Sequence, residues 1–199
     1  MNTTRSRHRA DLPVDDSSAA FLEATRAIFR AEGLEGLSVR RVAEAAGGTT
    51  MHVYSRFGGK DGLIGAMYDE GFDGLAAAQE AVGVGPSAAR RVLDLCVAYR
   101  HFAKHHPHHY ALMFGPHKGG FVPSEDRRLR GRRTLENIVL AVTKTLPPDG
   151  DSETLAREIA DRLFAFCHGW VTLEFNDLLS DAATDEAFER ANSALLGLA

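Results

Sequence analysis

Five of the nine histidines fall in the stretch HFAKHHPHHY, at positions 101, 105, 106, 108 and 109. His101 and His105 stand four residues apart, the spacing at which two imidazoles leave one helix face and can chelate a divalent metal. The stretch offers a metal little else. Lys104 is interleaved, no Cys or carboxylate falls within it, and Pro107 marks a break at which one helix ends and the next begins. Histidines near a helix C-terminus also complement its negative end. A helical metal-binding protein or enzyme built on His101–His109 is therefore the alternative function, and no metal or other cofactor is assigned.

A different chemistry is written in GGTTMHVYSRFGGK, residues 47–60, which gathers hydroxyls (Thr49, Thr50, Ser55), an imidazole (His52), a phenol (Tyr54) and two cations (Arg56, Lys60). Nothing in the chain supplies a nucleophile with its base, a Gly-rich phosphate loop or paired carboxylates in a fixed frame, so an enzyme is not expected. The run DRRLRGRRT, residues 126–134, is strongly basic but opens a helix and surrounds only Leu129, and is read as a solvated helix end. Cys96 and Cys167, far apart in sequence in apolar helical surroundings, read as core. His168, Gly169 and Trp170 lie inside a long helix; a helical Gly costs about 1 kcal/mol relative to Ala, which predicts close approach by another helix or a ligand.

The elements that must hold these residues are helices throughout. In SSAAFLEATRAIFRAEG, Ser17 or Ser18 can cap, Asp15 and Asp16 favour the positive helix end, and Phe21, Ala24, Ile28 and Phe29 form a stripe ending at Gly33. In LSVRRVAEAAGG, Ser38 can cap, Val39, Val42, Ala43 and Ala46 fall on one face, and Gly47 supplies a left-handed stop. Thr49 can cap a third short helix, with Val53 and Phe57 toward the core and Met51, His52, Tyr54 and Ser55 away from it. Two short helices joined at AGG make a helix-turn-helix, whose second helix lies in the DNA major groove with its first residues at the base edges.

Further helices are predicted at about 60–82, 86–105, 107–114, 125–146 and 152–179, with a last one near the C-terminus. The 152–179 helix is apolar on two sides, through Leu155, Ile159, Leu163, Phe166, Trp170 and Leu173 and through Phe164, Cys167, Val171 and Leu178. A helix of that kind must be buried from two directions. The last carries Ala187, Phe188, Ala191, Ala194, Leu195 and Leu198.

The segment FLEATRAIFRAEGLEGLSVRRVAEAAGGTTMHVYSRFGGKDGLIGAMYDEGF resembles, over its whole length, the DNA-binding region of the TetR/AcrR family of bacterial transcriptional regulators. The alanine-rich first helix, the EG turn, SVRRVAEAAG, the Y-x-x-F ending and the lysine opening the fourth helix carry the likeness. YRHFAKHHPHHYALMFG and CHGWVTLEF resemble the subgroup with a Trp/His/Gly-type motif in the ligand-binding half. The resemblance implies an all-α protein: a flexible arm (1–16), a three-helix helix-turn-helix DNA-binding domain (17–62), and a larger helical ligand-binding and dimerisation domain (63–199).

It implies site residues as well. Thr49 would meet a phosphate, Thr50, Met51 and His52 the bases, and Tyr54 and Lys60 further phosphates, with Ser55 and Arg56 on the same surface; Ser38 and Arg40 would reach the backbone or groove edge. Family members often have Lys-Gly where this chain has Thr50-Met51, Thr in place of His52 and His in place of Arg56, so the operator sequence is not readable from the chain. Residue type and family position together give the pocket lining as Met67, Tyr99, Phe102, Tyr110, Met113, Phe114, Phe164 and His168. The last two helices resemble those that pair with their copies in a four-helix dimer interface. Independently, one short helix contacts few base pairs, whereas a twofold dimer reads a palindrome.

The expected function is thus a ligand-responsive DNA-binding regulator, a repressor that binds a palindromic operator as a homodimer and is released by a small apolar or aromatic effector. Composition agrees. Of 199 residues, 44% are hydrophobic and 25% charged, with mean hydropathy -0.19 and net charge -4. Residues 1–60 carry +2 and the remainder -6, placing the positive end where DNA would lie. With no apolar run of about 18 residues and no apolar segment after the N-terminal arginines, a cytoplasmic protein is expected.

Overall fold

The computed structural model describes residues 16–115, 120–148, 150–180 and 184–197, with side chains from Ser18 onward. The described residues form nine helices and no strand: α1 (Asp16–Gly36), α2 (Val39–Ala45), α3 (Thr50–Phe57), α4 (Lys60–Glu80), α5 (Ala88–His105), α6 (Pro107–Phe114), α7 (Glu125–Thr143), α8 (Ser152–Phe175) and α9 (Asp185–Leu195). They belong to two compact units that meet in sequence between Ile64 and Gly65. Of the predicted arm only Asp16 is described; Asp15 and Leu198 also lie outside the described residues.

In the first unit, Phe21, Phe29, Leu37, Val42, Val53 and Leu63 are all buried to 2% exposure or less and form one small core. Gly33 (φ 63°, ψ -152°) breaks α1 where the apolar stripe stops. Ser38 caps α2, its Oγ accepting from the Arg41 N–H at 3.2 Å. The turn that follows is built on Gly47 at φ 65°, a left-handed conformation that costs an L side chain about 1–2 kcal/mol. It closes with Gly48 N–H donating to Ala43 O at 2.9 Å, the arrangement that satisfies the last carbonyls of a helix. Arg41 joins α2 to α1, donating to both carboxylate oxygens of Glu32 at 2.6 Å and to Gly36 O at 2.8 Å. Gly58, at φ 77°, ends α3.

In the second unit α8 packs on α7 and also against α5 and α9. Leu95, Val142, Ala156, Ala160, Leu163 and Val171 lie in the core. Pro107 opens α6 directly after α5 ends, because a ring without an N–H fits a first helical position and not an interior one. Both cysteines are buried; the Cys167 Sγ–H donates to Asn192 Oδ1 at 3.3 Å, and the hydrogen bond with the Cys96 thiol, together with burial, pushes the Cys167 thiol well above its ordinary pKa.

The structure corrects three expectations. The arginine run is not simply solvated: Arg127 Nε donates to Asp69 Oδ2 at 3.1 Å and to Gly65 O at 3.3 Å, and Arg130 grips Asp73 at 2.9 Å. The start of α7 is thereby tied to α4. Second, α8 stops at Phe175, with Asp177 left-handed just beyond it (φ 53°), so Leu178 falls outside the helix, and Leu155, Leu173 and Leu178 are exposed rather than buried. Third, a Cβ added at Gly169 would meet nothing within 4 Å, so the close approach inferred from a helical glycine is absent among the described residues.

A buried ion network holds α5 to the ends of α8 and α9. The Arg100 side chain is 4% exposed; its Nε donates to Glu174 Oε2 at 2.8 Å, and its other nitrogens reach Glu174 Oε1 and Asp185. Its guanidinium lies 5.2 Å from the Phe188 ring centroid. Phe188 is itself packed on Phe166 and Trp170, at 6.0 and 5.6 Å between centroids.

Candidate functional site

Two sets of residues stand out, one in each unit. In the first unit α3 is anchored by Val53, which is fully buried, while Thr50, Met51, His52, Tyr54, Ser55 and Arg56 are exposed. Met51 is 76% exposed, so its thioether is available for apolar contact on the outer face of α3. Thr49 heads the helix without capping it through its side chain, which leaves the first N–H groups of α3 open to an anion. Lys60 begins α4 and is exposed, as is Arg40 on α2. Ser38 is half-buried, with its oxygen engaged in the α2 cap.

Two contacts orient this face. The His52 ring meets Phe21 edge-on at 6.0 Å, so the imidazole rests on the core while remaining exposed. A Cβ at Gly59 would come within 2.9 Å of the Tyr54 ring; glycine there gives the phenol its place over the α3–α4 turn. Neither Phe21 nor Gly59 was named from sequence as part of the site. Phe21 read as core, which it also is, and its second role leaves no trace in helical periodicity.

In the second unit five of the eight pocket candidates come together. Tyr99 (α5), Tyr110 and Phe114 (α6) and Phe164 and His168 (α8) form a ring cluster with centroid separations of 5.0–6.1 Å. The Tyr99 hydroxyl donates to Tyr110 Oη at 3.1 Å, and the Tyr110 hydroxyl lies 2.6 Å from His168 Nδ1. The other three are buried residues. Met67 is fully buried, while Met113 and Phe102 close on α4 where a Cβ at Gly71 or Gly74 would meet them at 2.6 and 3.0 Å. Sequence reasoning missed Phe72, 5.6 Å from Phe114, and Phe175, 5.6 Å from Tyr110. The only available signal was aromatic type on a helix already assigned to the pocket.

Burial holds both phenols above their ordinary pKa, so they stay protonated donors, and it holds the His168 imidazole below the ordinary value of 6.5. The stability consequence has a definite sign. The unfolded chain binds a proton at this histidine near pH 6.5 while the folded chain still does not, so stability contributed by neutral His168 is present above pH 6.5 and lost as pH falls through the interval below it. Urea unfolding of wild type and His168→Phe at pH 7.5 and 5.5 is expected to show wild type losing more stability on acidification than the variant. Equal losses would place the titration elsewhere.

His101 and His105 rings are 6.3 Å apart, with His105 Nδ1 at 2.7 Å from the His101 carbonyl, and among the described residues no three His, Cys, Asp or Glu groups converge to hold an ion. No helix among them is long and apolar enough to cross a membrane.

Residues 21–67 match the family model for bacterial regulatory proteins of the tetR family, and residues 92–195 match that for a tetracyclin repressor-like C-terminal domain. A helix-turn-helix-type transcriptional regulator of Mycobacterium tuberculosis is 26% identical over 176 residues, covering 88% of this chain and 78% of that protein. Among solved structures, a protein from a Rhodococcus species superposes with a TM-score of 0.76 at 27% identity, over 92% of this chain and 94% of that one. The TetR family regulator PfmR from Thermus thermophilus shares the fold, with a TM-score of 0.61 at 16% identity over 98% and 97% of the two chains.

Proposed function

The chain belongs to the TetR family of bacterial transcriptional regulators, DNA-binding proteins and not enzymes, and from that premise we propose that it is a repressor that binds a palindromic operator as a homodimer and leaves it when a small apolar or aromatic effector occupies the cluster of α5, α6 and α8. Residues 17–62 are the reading head; residues 63–199 bind the effector and pair the two copies. One observation carries the reading: a two-turn helix, α3, fixed by a single buried valine, offers Met51, His52 and Tyr54 to solvent behind an uncapped N-terminus. That surface has the donors, acceptors and apolar contact that base edges and phosphates require.

Pairing through α8 and α9 is supported by the α8 face on which exposed Leu155 and Leu173 stand in helical register with Gly169, where an added Cβ would meet nothing within 4 Å. A second copy would bury these leucines. Effector coupling is supported by the packing of Phe72 on Phe114, since Phe72 belongs to the same continuous helix, α4, that begins at Lys60.

Selection of bound sequences from a random duplex pool tests the reading and yields the operator. On that operator, Tyr54→Phe and Lys60→Ala are expected to weaken binding to all sequences alike, because phosphate contacts position without specifying. His52→Ala is expected to relax preference at one base position per half-site, by roughly 1–3 kcal/mol. A His52→Ala profile identical to wild type removes that residue from the reading face.

A further inference from the structure

The Tyr99–Tyr110–His168 chain has a direction, set by satisfying its hydrogens. If Nδ1 of His168 carried the proton and donated to Tyr110, whose oxygen already accepts from Tyr99, the Tyr110 hydroxyl hydrogen would lose the acceptor that lies 2.6 Å away. With Nδ1 as acceptor both hydroxyl hydrogens are used: Tyr99 donates to Tyr110 at 3.1 Å and Tyr110 donates to Nδ1 at 2.6 Å. Tyr99 lies at 3.5 Å from the same nitrogen. A neutral imidazole that accepts at Nδ1 must carry its proton at Nε2. Among the described residues no neighbour accepts from that Nε2–H, and His168 is half-buried rather than sealed.

The surroundings of this donor are apolar and incompletely covered. Phe164 lies nearly parallel to the imidazole, at 6.1 Å and 21°, and it and Phe114 are half-buried, whereas Tyr99 and Tyr110 behind them are fully buried. Charge is directed elsewhere. Arg100 and Lys104 on α5 are paired with Glu174 on α8, and Arg100 also with Asp185. A carboxylate brought to the cluster would lose its hydration with no cation to compensate it, whereas a carbonyl oxygen needs only the one donor.

Resting on the effector-site reading above, we propose that Nε2–H of His168 is the single polar anchor of that site, and that the effector is an uncharged aromatic or apolar molecule bearing a carbonyl-type acceptor. The tyrosine chain is the positioning device: it fixes the tautomer that makes His168 a donor toward the ligand. Binding adds one neutral hydrogen bond to ring stacking, and no bond in the ligand is broken.

The test uses the full-length protein and three probes of one shape: naphthalene, 2-acetylnaphthalene and 2-naphthoate, titrated by calorimetry. Wild type is expected to bind the ketone about tenfold more tightly than the hydrocarbon, the range of one net neutral hydrogen bond, and the carboxylate no better than the hydrocarbon. His168→Phe, which keeps a ring in place, is expected to bind ketone and hydrocarbon equally; His168→Gln, which keeps a donor, is expected to restore part of the preference. Circular dichroism of each variant controls for folding. A ketone preference that survives in His168→Phe, or a carboxylate that binds best to wild type, overturns the anchor. Operator binding measured with each probe separates the two ideas: a His168-dependent ketone preference with unchanged operator affinity refutes the effector reading alone. If none of the three probes binds wild type, both fall.

Discussion

Operator affinity is expected to fall about 10³-fold between 50 and 200 mM salt. Arg40, Arg56 and Lys60 are the cations exposed on the proposed reading surface, so two copies bring about six to the duplex, and six neutralised phosphates release enough counterions for a log–log slope near -5. The sign of the rest of the chain sharpens the effect: residues 61–199 carry a net charge of -6, so the remainder of the chain is on balance repelled by the duplex. Lys60→Ala should make the slope shallower by about one for each subunit. Fluorescence anisotropy on the selected operator, repeated over the salt series, gives both numbers. An affinity that is flat across the series contradicts groove docking by this surface.

The largest expected loss of stability comes from Arg100→Met. Methionine matches the aliphatic reach of arginine but leaves Glu174, whose side chain is 16% exposed, as a carboxylate without its bidentate partner. Breaking a buried pair from one side costs about 3–5 kcal/mol. The value here should lie at the low end, near 3 kcal/mol, because Lys104 remains 3.8 Å from Glu174 and because Asp185, 76% exposed, returns to water. The double variant Arg100→Met/Glu174→Leu is expected to recover most of that loss, since the penalty belongs to the stranded charge and not to the missing attraction. Urea titrations of the two proteins decide it. A double variant as unstable as the single one would move the cost to the packing of Arg100 on Phe188.

How much of the molecule is legible in its sequence depends on how far apart the cooperating residues are. The α2–turn–α3 unit is legible because Ser38, Gly47 and Val53 act on neighbours within a turn or two, and Pro107 marks its helix start for the same reason. Arg127 and Arg130 are misread because their partners, Asp69 and Asp73, lie 58 and 57 residues away, and no periodicity encodes a partner at that distance. Gly169 misleads in the opposite sense. A glycine within a helix signals that something comes close, but the covering surface need not belong to the same chain. For the aromatic cluster, residue type together with family position names Tyr99, Tyr110 and His168, whereas the order of their hydrogen bonds is a matter of a few tenths of an ångström.

The condition of the two thiols has a practical consequence. Cys96 and Cys167 are both enclosed, and the thiolate of Cys167, the form that attacks electrophiles, is disfavoured by its surroundings. A maleimide or spin label offered to the folded protein would therefore find a cysteine introduced on the outer face of α3 long before it found either native one. The molecule thus comes with a silent background for site-selective labelling, and the separation of the two recognition helices in the proposed dimer, with and without a candidate effector, can be measured without first stripping cysteines from its core.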